Sequence, residues 1–482
     1  MAPRISLVGV YQSHVTEITY PRTGSANHLE EVAIARRRRV AAIAAALTLG
    51  GCSAAGAGGG GGAGPHGVAL RVAIVANPQM QDVEKLTSEF EKANPDIKVN
   101  YVTLPENESR AKITASVSTQ SNEFDVVMIS NYETPMWARF GWISDLQPYM
   151  SKTPGYDESD FIPSIRKSLS YRGDMYSVPF YGESSFLVYR KDLFAKAGLK
   201  MPAHPTWTQI AGFARRLTNK AKGIAGICLR GEAGWGQVLA PLDTVINTFG
   251  GRWYDPSWHA QLTSPADERA VSFYVNLVTK YGEPGAAGSG FAECATQYGQ
   301  GSAAMWYDAT STAGTIEDKA TSTVVGKNGY VPAPVMKTPN SGWLYTWSLA
   351  IPKTSPNQQA AWRFISWATS KAYIKLVGSK LGWASLPPGS RLSTYQIPQY
   401  RQAAKAFASP TLQAIEHADP NHPTVQPVPY VGVQFLDIPE FQDLGTRVSQ
   451  QVTAAIAGQE SVSSALSTSQ KYASTVGDGY RK

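Results

Sequence analysis

Several features that mark common protein classes are scarce in this chain. Only three of its 482 residues are cysteine, too few for a disulfide scaffold or a cysteine-rich metal module. Charged residues make up 17%, too few for a disordered or coiled-coil protein. The formal net charge of +7 is too weak for a nucleic-acid binder, which normally concentrates positive charge on one face. No run of 18 apolar residues occurs, so no segment is expected to span a membrane as a mature helix.

Sequence motifs of several enzyme and metal-binding classes are missing as well. The sequence has no Gly-x-Ser-x-Gly elbow of a serine hydrolase. The glycine-rich run 56–64 lacks the Gly-Lys-Ser/Thr ending of a phosphate loop. His417, Asp419 and His422 have metal-ligand side chains, but the neighbouring prolines indicate a loop, and we predict no metal site there. We therefore expect no catalytic site, no metal and no cofactor.

The N-terminal residues follow the order of an export signal. A basic run, 36–39, precedes the ten apolar residues 40–49, and Leu49-Gly50-Gly51-Cys52 resembles the lipobox of bacterial lipoproteins. By that resemblance we expect residues 1–51 to be a signal peptide, with 1–31 an upstream extension from a misassigned start. Cys52 would carry a lipid, and residues 52–67 would form a flexible tether. The alternative is that Cys52 is an ordinary cysteine near the terminus.

From Val68 onward, the apolar pattern alternates between strand and helix periods. Strands are predicted at 68–75, 97–101, 124–129 and 226–229, with 178–189 a strand or crossing segment. Helical faces occur at 83–90, 113–117, 210–217, 271–278, 361–368 and 444–456, and Ser355-Pro356 is predicted to start the fifth of these helices. Strands that alternate with helices favour a mostly parallel α/β sheet, followed by a second α/β region.

Several segments resemble family 1 extracellular solute-binding proteins, the sugar receptors of bacterial ABC importers. Asp192-Leu193-Phe194 after Tyr189-Arg190-Lys191, with Pro205-Thr206-Trp207 downstream, carries the family likeness. The segments 180–185, 304–309, 347–352, 381–385, 387–389, 419–421 and 427–430 resemble the sorbitol/mannitol, or polyol, branch. The matches keep their order over residues 70–470.

The resemblance implies an α/β, two-lobed periplasmic-binding-protein fold of the class II type, with three crossing segments between the lobes. Lobe 1 would take residues 68–177 and 335–385, and lobe 2 would take 178–334 and 386–482. Such a protein binds a polyol or small sugar between its lobes, delivers it to the transmembrane subunits of an ABC permease, and acts as a monomer held at the cell membrane by its lipid. It is not an enzyme. The alternatives are an exported glycoside hydrolase using Glu183 and Asp308, and a surface adhesion lipoprotein.

A site for a polyol needs carboxylate, amide and guanidinium groups for the hydroxyls and aromatic faces for the C–H groups. The family places a ligand-contacting glutamate at Glu183, and Asp308 follows the same logic. Asn77, Asn131 and Tyr132 follow predicted strands, where open α/β sheets bind ligands. The remaining candidates are Trp235, Trp343 and Trp383 for stacking and Arg391 for a bidentate contact. Each candidate has a structural alternative: helix capping, core packing, a hinge hydrogen bond or a surface position.

The other two cysteines, Cys228 and Cys294, fall in the same predicted lobe. If the protein is exported, they meet an oxidising environment, and we predict a disulfide between them. Two buried thiols are the alternative.

Overall fold

The computed structural model describes residues 67–481. The proposed signal peptide, the lipidation site at Cys52 and nearly all of the tether lie outside these residues. No helix between 67 and 481 is long and apolar enough to cross a bilayer.

The first sheet has five strands in the order β2-β1-β3-β10-β6. Its strands are β1 (Val68–Val75), β2 (Ile97–Leu104), β3 (Val126–Ser130), β6 (Val178–Glu183) and β10 (Tyr345–Ala350). β1 pairs in parallel with β2 and β3, whereas β10 runs antiparallel between β3 and β6. Every residue of β3 is buried, as its continuous apolar run indicates for a strand that is covered on both faces.

The second sheet has three antiparallel strands in the order β8-β7-β9. They are β7 (Ser185–Arg190), β8 (Met305–Ala309) and β9 (Asn328–Pro332), and a hairpin of β4 (Ser170–Tyr171) and β5 (Asp174–Met175) lies apart from both sheets. The strand predicted at 226–229 is wrong. That segment follows β8 only through isolated bridges, such as Cys228 with Trp306.

Helices cover these sheets. They are α1 (Pro78–Ala93), α2 (Glu106–Ser118), α3 (Glu133–Phe140), α4 (Gln147–Ser151), α5 (Pro163–Ser168), α6 (Lys191–Lys196), α7 (Trp207–Leu217), α8 (Leu239–Thr248), α9 (Pro265–Tyr281), α10 (Phe291–Gly299), α11 (Thr312–Ile316), α12 (Gln358–Ala368), α13 (Lys371–Lys380), α14 (Pro398–Ala403), α15 (Ala408–His417), α16 (Phe441–Ile456) and α17 (Val462–Tyr480). α1, α2 and α12 pack on the first sheet, while α16 and α17 pack on each other and on α9.

Local sequence signals explain several helix starts. A capping box of Thr206 and Gln209 begins α7, and the Asn77 side chain accepts a hydrogen bond from the Met80 amide at the start of α1. The predicted start at Ser355-Pro356 is two residues early. The Ser355 hydroxyl caps a turn by accepting from the Asn357 amide, and α12 begins only at Gln358.

The chain passes between the sheets in two connections that the strand pairings define. β6 belongs to the first sheet and β7 to the second, so the change comes at Ser184 rather than at residue 178. The return lies between the end of β9 and the start of β10. A further segment runs against the first crossing, where the Gly182 amide donates to the Pro388 carbonyl at 2.9 Å. A Cβ atom at Gly182 would lie 2.5 Å from the Gly389 carbonyl oxygen, so only glycine allows this approach.

A disulfide joins Cys228 to Cys294, whose Cα atoms are 5.7 Å apart. It fastens the segment beside β8 to helix α10, which contributes to the site described next.

Candidate binding cleft

A cavity of about 440 Å³ lies between elements of the two sheets. Its wall is formed by the carboxyl end of β1, the start of α2, β6, the loop 230–237, the start of α10 and the segment 343–347. The lining residues that carry the argument are Asn77, Glu106, Arg110, Tyr181, Glu183, Arg230, Glu232, Trp235, Phe291, Glu293, Ser311, Trp343, Tyr345, Trp347 and Gln434. We call this space the cleft cavity. Its volume is that of a small-molecule site.

Arg110 on α2 is buried at the cleft cavity. Its guanidinium donates to Glu106 at 3.0 Å and to Glu133 at 3.0 Å, and it also contacts the Tyr345 hydroxyl. Its central carbon lies 4.1 Å from the centroid of the Trp235 ring and 4.5 Å from that of Trp347. The charge of Arg110 is therefore balanced by two carboxylates, and its planar guanidinium packs against two tryptophan rings.

The second buried cation, Arg230, is held by Asp308. Arg230 donates to the two Asp308 oxygens at 2.9 and 2.5 Å and to the Gly236 carbonyl at 2.6 Å. The indole of Trp306 donates to Asp308 at 3.1 Å. The buried Asp308 does not line the cleft cavity, so the structure does not support our prediction that it contacts ligand. Asp308 instead holds Arg230, which does line the cavity, in place.

Glu183, the last residue of β6 and a candidate from the family resemblance, lies in the wall. It accepts a hydrogen bond of 2.6 Å from the Ser311 hydroxyl. Burial is the main cause that raises the pKa of Glu183 to about 8, and the hydrogen bond from Ser311 and the nearby Arg230 only partly oppose it. At neutral pH this carboxyl keeps its proton, so it can donate one hydrogen bond as well as accept others.

Two buried polar atoms of the wall have no hydrogen-bond partner among residues 67–481. They are the indole nitrogen of Trp343, a donor, and the side-chain oxygen of Gln434, an acceptor. Buried polar atoms without a partner cost about 1–3 kcal/mol each. Both atoms are shielded from solvent, so a ligand could reach them only if these side chains moved.

Trp235 lines the cleft cavity on a loop between two glycines. A Cβ atom at Gly234 would lie 2.5 Å from the Asn107 side chain, and one at Gly236 would lie 2.2 Å from a Glu106 oxygen. The Asn107 amide also donates to the Ala233 carbonyl at 2.9 Å. The glycines thus let this loop approach α2 from the opposite side of the cleft.

Of the other predicted contacts, Asn77 and Trp343 line the cavity, and four residues do not. Asn131 accepts from the Thr346 amide at 2.9 Å, and the Tyr132 hydroxyl donates to the Ile438 carbonyl at 3.1 Å. The Trp383 ring packs on Gly378 of α13. Arg391 is fully buried and donates to three backbone carbonyls, including that of Thr369 at 2.9 Å. These four side chains have structural partners outside the cavity.

Sequence reasoning missed several lining residues, notably Arg110, Arg230 and Gln434. Glu106 and Arg110 have the i, i+4 spacing of an ordinary surface ion pair on a helix, so nothing in the pattern marked them as buried. Trp347 on β10 is buried and also lines the cavity, although it was not among the predicted contacts.

Comparison with known proteins agrees with this architecture. Residues 77–375 match the family model described as bacterial extracellular solute-binding protein. The chain is 43% identical to the mannitol-binding protein of Pseudomonas aeruginosa, over 83% of this chain and 91% of that protein. A solute-binding protein of an ABC transporter from Agrobacterium vitis S4, solved with bound D-mannitol, has a TM-score of 0.84 and 46% identity, covering 86% of this chain and 99% of that one. Another, from Agrobacterium radiobacter K84 in complex with ribitol, has a TM-score of 0.74 and 26% identity, covering 85% and 99%.

The predicted family and two-lobed fold are therefore confirmed: this chain belongs to the bacterial extracellular solute-binding proteins.

Proposed function

We propose that this protein captures a linear polyol, with D-mannitol the first candidate, and delivers it to the permease of an ABC importer. The observation that carries the proposal is a cavity wall that combines tryptophan rings with the carboxyl of Glu183 and the guanidinium of Arg230. A hydroxyl group both donates and accepts, and a polyol has one on every carbon. The likeness to a mannitol-binding protein and to a structure with bound D-mannitol supports the same ligand class.

The wall fits such a ligand in three ways. Trp235, Trp343 and Trp347 offer flat apolar surfaces to the C–H groups. The protonated Glu183 and the paired Arg230 offer donors to the hydroxyl oxygens. Because both sheets contribute to the cavity, a bound polyol stabilises the form in which the lobes are closed, by its differential affinity for that form.

The proposal includes an extracytoplasmic location, with the lipidated Cys52 holding the protein at the membrane and the closed form docking on the permease. It also describes a binding protein rather than a hydrolase. A glycosidase needs two carboxyl groups flanking the scissile bond. Asp308 is held by Arg230 outside the cavity, so it is not available as the partner of Glu183.

Isothermal titration calorimetry of the purified protein against hexitols, pentitols, hexoses and maltose tests this function. We expect a hexitol or pentitol to bind at least tenfold more tightly than any sugar of the panel, and chromatography to recover it unchanged. Binding of maltose alone, failure of every polyol, or formation of a product would overturn the proposal.

A further inference from the structure

The charge of the cleft cavity is not balanced. Five glutamates line it, Glu106, Glu108, Glu183, Glu232 and Glu293, against two arginines, and the count remains four against two when the protonated Glu183 is left out. Among residues 67–481, neither Glu232 nor Glu293 forms an ion pair with lysine, arginine or histidine, unlike Glu106, which pairs with Arg110. This part of the wall therefore carries negative charge that no ion pair among these residues neutralises.

Glu232 and Glu293 both lie beside Gly290. The Gly290 amide donates to Glu293 at 2.9 Å, and a Cβ atom on Gly290 would lie 2.3 Å from a Glu232 oxygen. Glu232 is half-buried and Glu293 exposed. Burial raises the pKa of Glu232, and the charges of Glu293 and Glu106 raise it further, which is the effect of like charges in close proximity.

The positive groups of the wall are already neutralised by the chain itself. Arg110 is paired with Glu106 and Glu133, and Arg230 with Asp308. The start of α10 could attract an anion, but the Gly290 amide donates to Glu293 and the Phe291 amide donates to Gln237 at 3.1 Å. The start of α2 has glutamates in its first turn. A negatively charged ligand finds no unpaired partner in these groups.

We propose that the cleft also takes polyols that carry a protonated amine, such as 1-amino-1-deoxyhexitols, with the ammonium beside Glu232 and Glu293, and that it rejects polyols that carry a carboxylate or phosphate. The inference rests on the proposed polyol function. An ammonium donates three hydrogen bonds and supplies the missing positive charge. Arg230 and the tryptophan faces of the wall remain available to the hydroxyl chain.

Calorimetry at neutral pH with D-mannitol, 1-amino-1-deoxy-D-mannitol and D-mannonate tests this inference. We expect the amine to bind at least a hundredfold more tightly than the carboxylate. In the double variant Glu232→Gln/Glu293→Gln, we expect the ratio of amine affinity to mannitol affinity to fall at least fivefold. Because the readout is a ratio, a general loss of binding cancels. Glu268→Gln, at an exposed position of α9, is the matched control and should leave the ratio as it is.

The outcomes separate the two proposals. If mannitol binds while the carboxylate binds as well as the amine, or the ratio falls less than fivefold in the double variant, the inference is wrong and the polyol function stands. If no polyol binds at all, the proposed function fails and the inference falls with it. Salt adds a readout on the folded wild type: raising NaCl from about 20 to about 500 mM should weaken the amine more than mannitol.

Discussion

The guanidinium carbon of Arg110 lies 4.1 Å from the centroid of the Trp235 ring. Arg110 is on α2 beside the first sheet, whereas Trp235 is on the loop 230–237, whose Arg230 pairs with Asp308 of the second sheet. A cation held over an indole face is worth about 0.5–2 kcal/mol, more when both groups are shielded from water. The contact thus joins the two sides of the cleft cavity and fixes the plane of a tryptophan in its wall.

Replacing Trp235 by leucine should weaken polyol binding at least tenfold, because the variant loses both the stacking surface and the contact with Arg110. Calorimetry measures the change. The matched control is Trp258→Leu, since Trp258 stacks on Tyr480 at 4.2 Å and does not line the cavity. If both variants bind the ligand as the wild type does, Trp235 has no part in the site.

Gly236→Ala should hinder closure of the cleft. The new Cβ atom would lie 2.2 Å from a Glu106 oxygen, and Glu106 cannot swing aside without weakening its hydrogen bonds of 3.1 and 3.0 Å from Arg110. We expect a weaker ligand affinity and, by small-angle X-ray scattering, a larger radius of gyration in the presence of ligand. Gly212→Ala on α7 is the control, because nothing lies within 4 Å of its added Cβ. Wild-type compaction in Gly236→Ala would contradict the argument.

Asp308→Ala should destabilise the fold more than it alters recognition. It leaves Arg230 buried without its carboxylate, and breaking a buried pair in this way costs about 3–5 kcal/mol. Urea unfolding measures the loss. Asp443→Ala removes an exposed partner of Arg447 and should change stability little. A stable Asp308→Ala protein that has lost its ligand would instead make Asp308 a ligand contact.

A site residue could be predicted where its role follows from the nearby sequence, and not where the role depends on a partner far along the chain. A strand end pointed to Asn77 and a loop between two glycines to Trp235, because these are local patterns, and the family resemblance pointed to Glu183. The role of Asp308 depends on Arg230, which is 78 residues away, and no local pattern records that pairing. Arg391 shows the same limit: its charge suggested a bidentate ligand contact, but its partners are backbone carbonyls near residue 157, far away in the sequence.

The fold was more predictable than the site. Apolar patterns alone located four elements. Apolar runs marked β1 and β3, and apolar residues at helical spacing marked α1 and α16. The segment 226–229 is apolar like a strand, yet it meets β8 only through isolated bridges. Its apolar pattern indicates that the segment is buried, not that it pairs in a sheet. Whether a buried segment pairs depends on which other segments lie beside it, and the local sequence does not show that.

Removing the disulfide should lower stability by about 2–4 kcal/mol, because it closes a loop across a sequence separation of 66 residues and restricts the unfolded chain. Urea unfolding of the Cys228→Ala/Cys294→Ala variant, compared with the wild type in oxidising and reducing buffer, measures the effect. The reduced wild type should approach the variant. Equal stability of all three samples, or recovery of both cysteines as free thiols in non-reducing peptide maps, would show that the bond does not form in solution.

Glu183 should make the protein less stable as the pH rises from about 4.5 to about 8. Its pKa is about 8 in the folded protein, against 4.5 for an ordinary glutamate, so within this window the folded chain holds a proton that the unfolded chain has released. Stability then falls with rising pH, by at most about 1.4 kcal/mol per pH unit.

Asp267, whose pKa burial raises to about 7, contributes in the same direction and remains in any Glu183 variant. The test is therefore the difference between the wild type and Glu183→Gln in urea unfolding at several pH values. That difference should shift in favour of the variant as the pH rises to 8 and stay level above it, whereas Glu268→Gln should show no such trend. A difference that does not change with pH would mean that Glu183 is ionised in the folded cleft, and its part as a hydrogen-bond donor to the ligand would be lost.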